Sequence, residues 1–329
     1  MKLANLNIKL GMDSEGNYFS YDIARMGHLL IEGAYGTGKT QFLHNTIKQL
    51  IENNSPEEIK LIISAGDFWN FKNYSELSHM LIPCIEKKEA LIEVLNWLNK
   101  EEEKRMRLFL NYKLRNIDEF NEKFPNNIFS NIVVVINDCE YFVNGNSQIE
   151  KLIIKILQYS KYSGIHLILT TEVGEKGVLS PMIKSNIGTR AVFKTKDINS
   201  SSLHLDQEGA EELNGKGEFL LLLPNSVLPI KLQCDYISNR EITEFIEKSN
   251  INKPNYDEGL ENAIYQEDGD ISDYLIQAEN IFRHGAEIKA YILMNQLGIR
   301  HAKAVKIIEF LEKQGLIRIS QDTGKLIYG

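Results

Sequence analysis

Along most of the chain, short runs that are apolar throughout alternate with stretches whose apolar residues recur at helical spacing. "LLI" (29–31), "IKLIIS" (59–64), "NIVVVI" (131–136) and "IHLILTT" (165–171) have no polar face, as strands buried on both sides do not. Between them, "QFLHNTIKQLIENN" and "IEKLIIKILQYSKYSG" read as amphipathic helices. So does "KKEALIEVLNWLNKEEEKRMRLFLNYKL", which puts Leu91, Leu95, Leu98, Met106 and Leu110 on one stripe. This alternation predicts an α/β fold with a mainly parallel sheet covered on both faces. "GEFLLLL" and "LPIKLQCDYI" are expected to close that sheet as a hairpin at one edge, and Trp69 and Trp97 to be packing residues.

The pattern then changes. From Ser249 to Asp273 there are seven acids against Lys253 alone, which predicts a solvated linker. "DYLIQAENIFRHG", "EIKAYILMNQLG" and "RHAKAVKIIEFLEKQG" follow as three short helices, each closed by glycine. "LIRISQDTGKLIYG" adds two strands around Asp322-Thr323-Gly324-Lys325. Three helices and a hairpin make a small C-terminal winged helix-turn-helix domain. The expected boundaries are 1–248 for the α/β domain, 249–273 for the linker and 274–329 for the winged helix.

Charge sharpens this division. The net charge of −8 speaks against a nucleic-acid partner, yet the segment from Tyr274 to Gly329 carries eight Lys/Arg against five acids. That segment is a candidate DNA-binding module. No apolar run approaches the ~18–20 residues that a bilayer span needs, and "MKLANLNIKL" lacks the apolar core of a signal peptide. A cytoplasmic protein is expected. Cys84, Cys139 and Cys234 lie far apart without ligand spacing, which predicts reduced thiols and no metal bound through them.

The strongest chemical signal is Gly33-Ala34-Tyr35-Gly36-Thr37-Gly38-Lys39-Thr40, a full G-x-x-x-x-G-K-[ST] motif between a predicted strand and a predicted helix. The glycines let backbone N–H groups close around phosphates at a helix N-terminus, where the helix dipole favours anions. Gly33, Gly36, Thr37, Gly38, Lys39 and Thr40 are therefore the expected ATP-binding residues. Lys39 would reach the β- and γ-phosphates and the Thr40 hydroxyl would take one magnesium position.

From this point the chain resembles the FtsK/SpoIIIE family of DNA translocases. The likeness runs through "LGMDSEGNYFSYDIARMGHLLIEGAYGTGKT", "NYKLRNIDEFNEKF", "YSGIHLILTTEVGEKGVLSPMIKSNIGTRAVF" and "LDQEGAEELNGKGEFLLLLPNSVLPIKL". The tail "LGIRHAKAVKIIEFLEKQGLI" resembles the family's γ winged helix. The resemblance implies a RecA-like P-loop NTPase that uses ATP and magnesium, assembles as a ring, a hexamer in the family, and moves double-stranded DNA.

Three positions depart from the family. Its Asp-Glu pair falls on Asn137-Asp138, which would leave Asn137 at the magnesium and Asp138 as the base for the attacking water. A shifted reading puts Asp138 on the magnesium and Glu140 on the water. Side chains alternate along a strand, so Asn137 and Asp138 cannot share one face of a regular pleat and only one reading can hold. The family's γ-phosphate-sensing Gln falls on Glu172, an acid beside an anion unless it activates the water. "SAGDFWNF" replaces the lysine pair that follows the second strand. Arg105, followed by Arg107, matches an arginine of the long helix that could enter a neighbour's site as a finger. Its alternative is a solvated pair with Glu101 at i,i+4 spacing. Arg190 is a further candidate of the same kind.

In the winged helix, the third helix would enter the major groove with Arg300, His301, Lys303 and Lys306 on its early turns and Ile307, Ile308 and Leu311 turned inward. Arg318 and Lys325 on the wing could hold phosphates. Ala302 stands where the family often has a polar base-reading residue. The expectation is an ATP-driven, ring-forming double-stranded DNA translocase. The alternatives are a DNA-binding ring or clamp of the same family that holds ATP without turnover, and a conjugation or secretion coupling ATPase. A winged helix used for protein contacts is the alternative for the tail.

Overall fold

In the computed structural model, described over residues 3–172, 179–249, 254–265, 270–320 and 326–329, the chain forms two compact units, Met1–Pro254 and Asn255–Gly329. Among the described residues of the first, nine strands make one sheet: β1 (Asn7–Met12), β2 (Tyr18–Asp22), β3 (Leu29–Gly33), β4 (Ile59–Ala65), β5 (Asn131–Asn137), β6 (Ile165–Glu172), β7 (Thr189–Phe193), β8 (Glu218–Leu222) and β9 (Ile230–Gln233). Their order is β2-β1-β9-β8-β7-β3-β6-β5-β4. The five strands from β7 to β4 are parallel, and the other four pair antiparallel.

All four apolar runs are strands buried along their length, because helices cross between them and cover the sheet. The crossing helices include Lys39–Asn53, Lys88–Asn111 and Ser147–Tyr159. β3 continues past its apolar run through Glu32, whose buried carboxylate meets His204 Nδ1 at 2.6 Å and Lys184 Nζ at 3.5 Å. A buried acid survives in a strand only with such partners.

Three expectations are corrected here. The β8–β9 hairpin forms but is not an edge, because the N-terminal β1–β2 hairpin continues the sheet beyond β9. The buried stripe of the long helix runs through Leu91, Leu95, Leu98, Glu102, Arg105 and Phe109, leaving Leu110 exposed. Trp69 is also exposed (71%), so it is not a packing residue, whereas Trp97 is half-buried.

The second unit holds the helices Glu258–Ile264, Ile271–Arg283, Ala290–Leu297 and His301–Lys313, and an antiparallel pair of strands, β10 (Ile317–Ile319) and β11 (Leu326–Tyr328). Its core includes Leu260, Ala278, Phe282, Leu293, Met294, Ile307 and Leu311. Part of the stretch expected as linker is thus helical, with Asp257 capping Leu260 N and Leu260 fully buried. No helix among the described residues is long and apolar enough to cross a membrane.

Candidate nucleotide site

β3, β6 and β5 are neighbours and parallel, so their C-terminal ends come together, where open α/β sheets bind ligands. Gly33 is in register with Glu172, and β5 delivers Asn137 beside them. The phosphate loop follows β3 directly and opens the helix Lys39–Asn53. Gly38 has φ 118°, and a Cβ there would lie 2.8 Å from Gly217 Cα, so only glycine lets the loop turn here. The loop is pinned from outside by Gly217 N–H to Thr37 O (2.8 Å) and Ala34 N–H to Lys194 O (2.9 Å). Within the loop, the Thr37 hydroxyl donates to Ala34 O at 2.7 Å. Gly36 is exposed at its tip, and Thr40 is half-buried in the first helical turn.

Lys39 Nζ donates to Gly33 O (2.6 Å) and Ala34 O (2.9 Å), so the lysine is folded onto its own loop. Burial lowers its pKa, opposed by the negative charges of Glu172, Glu140 and Asp138. Sequence-predicted acids from the ends of β5 and β6 therefore face one lysine.

The strand pleat does not separate Asn137 from Asp138. β5 stops at Asn137, and Asp138 takes a left-handed backbone (φ 54°, ψ 59°) as it caps the helix Cys139–Val143. That turn brings Asp138 back toward Asn137, whose Nδ2 donates to Asp138 Oδ2 at 2.8 Å. Expecting the two side chains on opposite faces assumed a regular strand one residue too far. Burial, then Glu140, then Asp67 and Glu172 raise the Asp138 carboxyl to about 6, and Lys39 opposes the rise. Glu140 Oε1 accepts from Glu172 N–H at 2.9 Å, while its Oε2 is buried with no hydrogen-bond partner among the described residues. The Glu172 side chain is exposed.

Arg105 is engaged by partners of its own chain. It is 4% exposed and lies by the N-terminal ends of the strands: Nε donates to Glu101 Oε1, and Nη1 to Ser130 O and Ser163 O, each at 2.9 Å. The Glu101 pair exists, with Arg105 buried and Glu101 half-buried. Arg107 is exposed. Arg190 Nη1 donates to Asp206 Oδ2 (2.6 Å) and His204 O (3.2 Å). A cavity of about 420 Å³, lined by Asp22, Asn131 and His166 among others, opens at this same N-terminal edge and contains no phosphate-loop residue.

In the second unit, Arg300 precedes the helix His301–Lys313, on which Lys306 is exposed and Lys303 is half-buried with Nζ 5.2 Å from the Tyr274 ring. Ile307 and Leu311 face inward, and Ile308 is half-buried. His301 N–H donates to Glu261 Oε1 at 2.9 Å, and its ring meets Tyr256 edge-on, so part of the expected reading face is covered within the unit. Arg318 is exposed, and Lys325 lies outside the described residues.

Residues 2–212 match the profile of the FtsK/SpoIIIE family. The chain belongs to that family. It is 30% identical over 322 residues to the DNA translocase FtsK of Caldanaerobacter subterraneus subsp. tengcongensis, covering 95% of this chain and 45% of that protein. Against the DNA translocase FtsK of Mycobacterium tuberculosis (strain CDC 1551 / Oshkosh) it is 28% identical over 339 residues, covering 96% and 41%. The chain thus spans less than half the length of these relatives. Among solved structures it is similar to the pCW3 conjugation coupling protein TcpA with ATPγS, at TM-score 0.64 and 21% identity over 74% of this chain and 70% of that one. It is also similar to the cytoplasmic domain of the Thermomonospora curvata type VII secretion ATPase EccC, at TM-score 0.66 and 15% identity over 82% and 33%. These likenesses show the fold, that of RecA-like P-loop ATPases.

Sequence reasoning missed Thr170. Its hydroxyl accepts from Asp138 N–H (2.9 Å) and donates to Asn137 Oδ1 (2.8 Å). In the one-dimensional pattern Thr170 is one more β-branched residue of an apolar strand. Only the β5–β6 pairing reveals its place. Asp67, in the stretch that replaces the lysine pair, was missed for the same reason and adds negative charge near Asp138.

Proposed function

We propose that this FtsK/SpoIIIE chain hydrolyses ATP with magnesium and uses the energy to move double-stranded DNA, working in the cytoplasm as a hexameric ring. The observation that carries the reading is Glu140: one carboxylate oxygen is fixed by the Glu172 amide, and the other is bare and buried among the groups that face Lys39. A bare buried carboxylate oxygen needs a proton donor, and an attacking water is one.

The residues fit a magnesium ion shared with phosphates. Asp138, Glu140 and Glu172 crowd one another, which makes a cation favourable, and Asp138 and the Thr40 hydroxyl are hard oxygen donors. Among the described residues no group of three His, Cys, Asp or Glu could hold a metal alone, and in this reading phosphate oxygens would complete the set. Bound magnesium would offset charge on the β- and γ-phosphates.

ATP phosphates entering the loop would draw Lys39 from the Gly33 and Ala34 carbonyls onto the β- and γ-oxygens. Glu140 would take a proton from water as its oxygen bonds to the γ-phosphorus and the bond to ADP breaks. Glu172 would hold Glu140 through its backbone, which the change from the family's Gln leaves intact. Arg105 is committed inside the fold, so any arginine supplied to a neighbour's site comes from another position. The C-terminal unit would act as a winged helix, with Lys303, Lys306 and Arg318 on phosphates or bases of the duplex and Arg300, His301 and Lys325 beside them.

ATP turnover with and without duplex DNA, compared with Lys39→Ala, tests this. DNA-stimulated turnover that needs Lys39 is expected. Turnover equal to that of Lys39→Ala would reject hydrolysis in favour of a clamp that only holds ATP, the reading that an uncharged Asn137 favours.

A further inference from the structure

We infer that Asn137 is neither a magnesium ligand nor a disabled one: it is a positioning residue that, with Thr170, holds Asp138 in its working conformation. This rests on the reading of Asp138 given above. Three hydrogen bonds close a ring. Asp138 N–H donates to Thr170 Oγ1 (2.9 Å), the Thr170 hydroxyl donates to Asn137 Oδ1 (2.8 Å), and Asn137 Nδ2 donates to Asp138 Oδ2 (2.8 Å). The amide orientation follows from its partners. Rotated by half a turn, Asn137 would set its oxygen against the Asp138 carboxylate and leave the Thr170 proton without an acceptor.

Each member of the ring has a task its neighbours cannot take over. Asp138 has a left-handed backbone, which persists in a residue with a side chain only where the surroundings fix it. The ring fixes both its main chain and its carboxylate. Asn137 is 4% exposed, so its amide cannot turn to water for partners. It must accept from Thr170 and donate to Asp138 at once, and an amide of this length does both. An aspartate at 137 has no proton to donate and would set a second carboxylate against Asp138, with Glu140 adding to the repulsion. The neutral residue at the end of β5 is thus matched to an acid displaced by one position. Asn137 holds, and Asp138 works.

The test is Asn137→Asp, the change that places an acid at the end of the strand. If the ring positions Asp138, this variant turns over more slowly than wild type, by about tenfold or more, with half-saturation by ATP moved less than about threefold, because the lost bond aligns the catalytic arrangement rather than binding substrate. Thr170→Val shows the same split, and Thr170→Ser, which keeps the hydroxyl, stays near the wild-type rate. A second readout needs no nucleotide. Urea unfolding of Asn137→Ala, Thr170→Val and the double variant gives a combined loss well below the sum of the single losses, since either change opens the same ring. Turnover of Asn137→Asp equal to or above wild type, or fully additive unfolding losses, would overturn the inference. Wild-type turnover no higher than that of Lys39→Ala would instead sink the proposed hydrolysis, and the unfolding cycle would still decide whether the ring exists.

Discussion

Glu140 Oε1 lies 2.9 Å from the backbone nitrogen of Glu172, so two acids that compete for one role on paper are parts of a single arrangement. The amide of one orients the carboxylate of the other. Glu140→Gln is therefore expected to lower kcat by about a hundredfold or more while ATP is still retained. Glu172→Gln keeps the amide and lowers kcat less than about tenfold. Steady-state turnover and retention of labelled ATP, measured on both variants, check the order. A larger loss for Glu172→Gln would reverse the roles.

Arg105 makes a different prediction from the one its family position suggests. Its guanidinium joins the long helix to the segments before β5 and β6, with its face 4.8 Å from the Phe129 ring centroid. Removing one partner of a buried charged network costs about 3–5 kcal/mol. Arg105→Met should lose stability on that scale in urea unfolding of isolated protomers. A variant as stable as wild type but defective in ring-stimulated turnover would restore the finger.

Asp138 links activity to stability. Its carboxyl is raised to about 6 by burial and by Glu140, so ionising it weakens the nucleotide-free fold. The penalty is absent below the ordinary aspartate value near 4 and complete above about 6. Asp138→Asn should then stabilise the nucleotide-free protein at pH 7.5 by about 1 kcal/mol, a figure reduced for solvent screening of a half-exposed group. The gain should vanish by about pH 4. Urea midpoints at the two pH values measure this. A gain that persists at pH 4 would point to packing instead of charge.

Buried histidines set the acid limit. Burial lowers His28 to about 3 and His44 to about 4. Both are neutral in the fold, where His28 Nδ1 accepts from Leu167 N–H and His44 Nδ1 pairs with the Tyr74 hydroxyl. With folded values below the unfolded value of 6.5, their contribution is complete above that value and is lost as the pH falls through about 4. His44→Gln should flatten the loss of the thermal midpoint between pH 7 and pH 5. An unchanged slope would remove His44 from the account.

How much of this was legible depends on whether a feature is local. The four apolar strands, the phosphate loop and the helix after it are written in consecutive residues, and the pattern finds them. Glu32 hid the end of β3 because its partners His204 and Lys184 lie more than a hundred residues away. Leu110 was misplaced on the long helix because the buried stripe includes Glu102 and Arg105, polar residues whose burial depends on distant contacts. The site showed the same divide. Lys39, Asp138, Glu140 and Glu172 could be named from motif positions, but the left-handed turn at Asp138 and the Thr170 ring come from pairing β5 with β6, to which alternation along one strand is blind.

The most direct test of the account is displacement of a third strand from a triplex-bearing duplex. The wild-type chain should release that strand only when ATP and magnesium are present, and neither Lys39→Ala nor Glu140→Gln should release it. If the wild-type chain binds the duplex and hydrolyses ATP yet leaves the third strand in place at every ATP concentration, movement along DNA is not what this protein does.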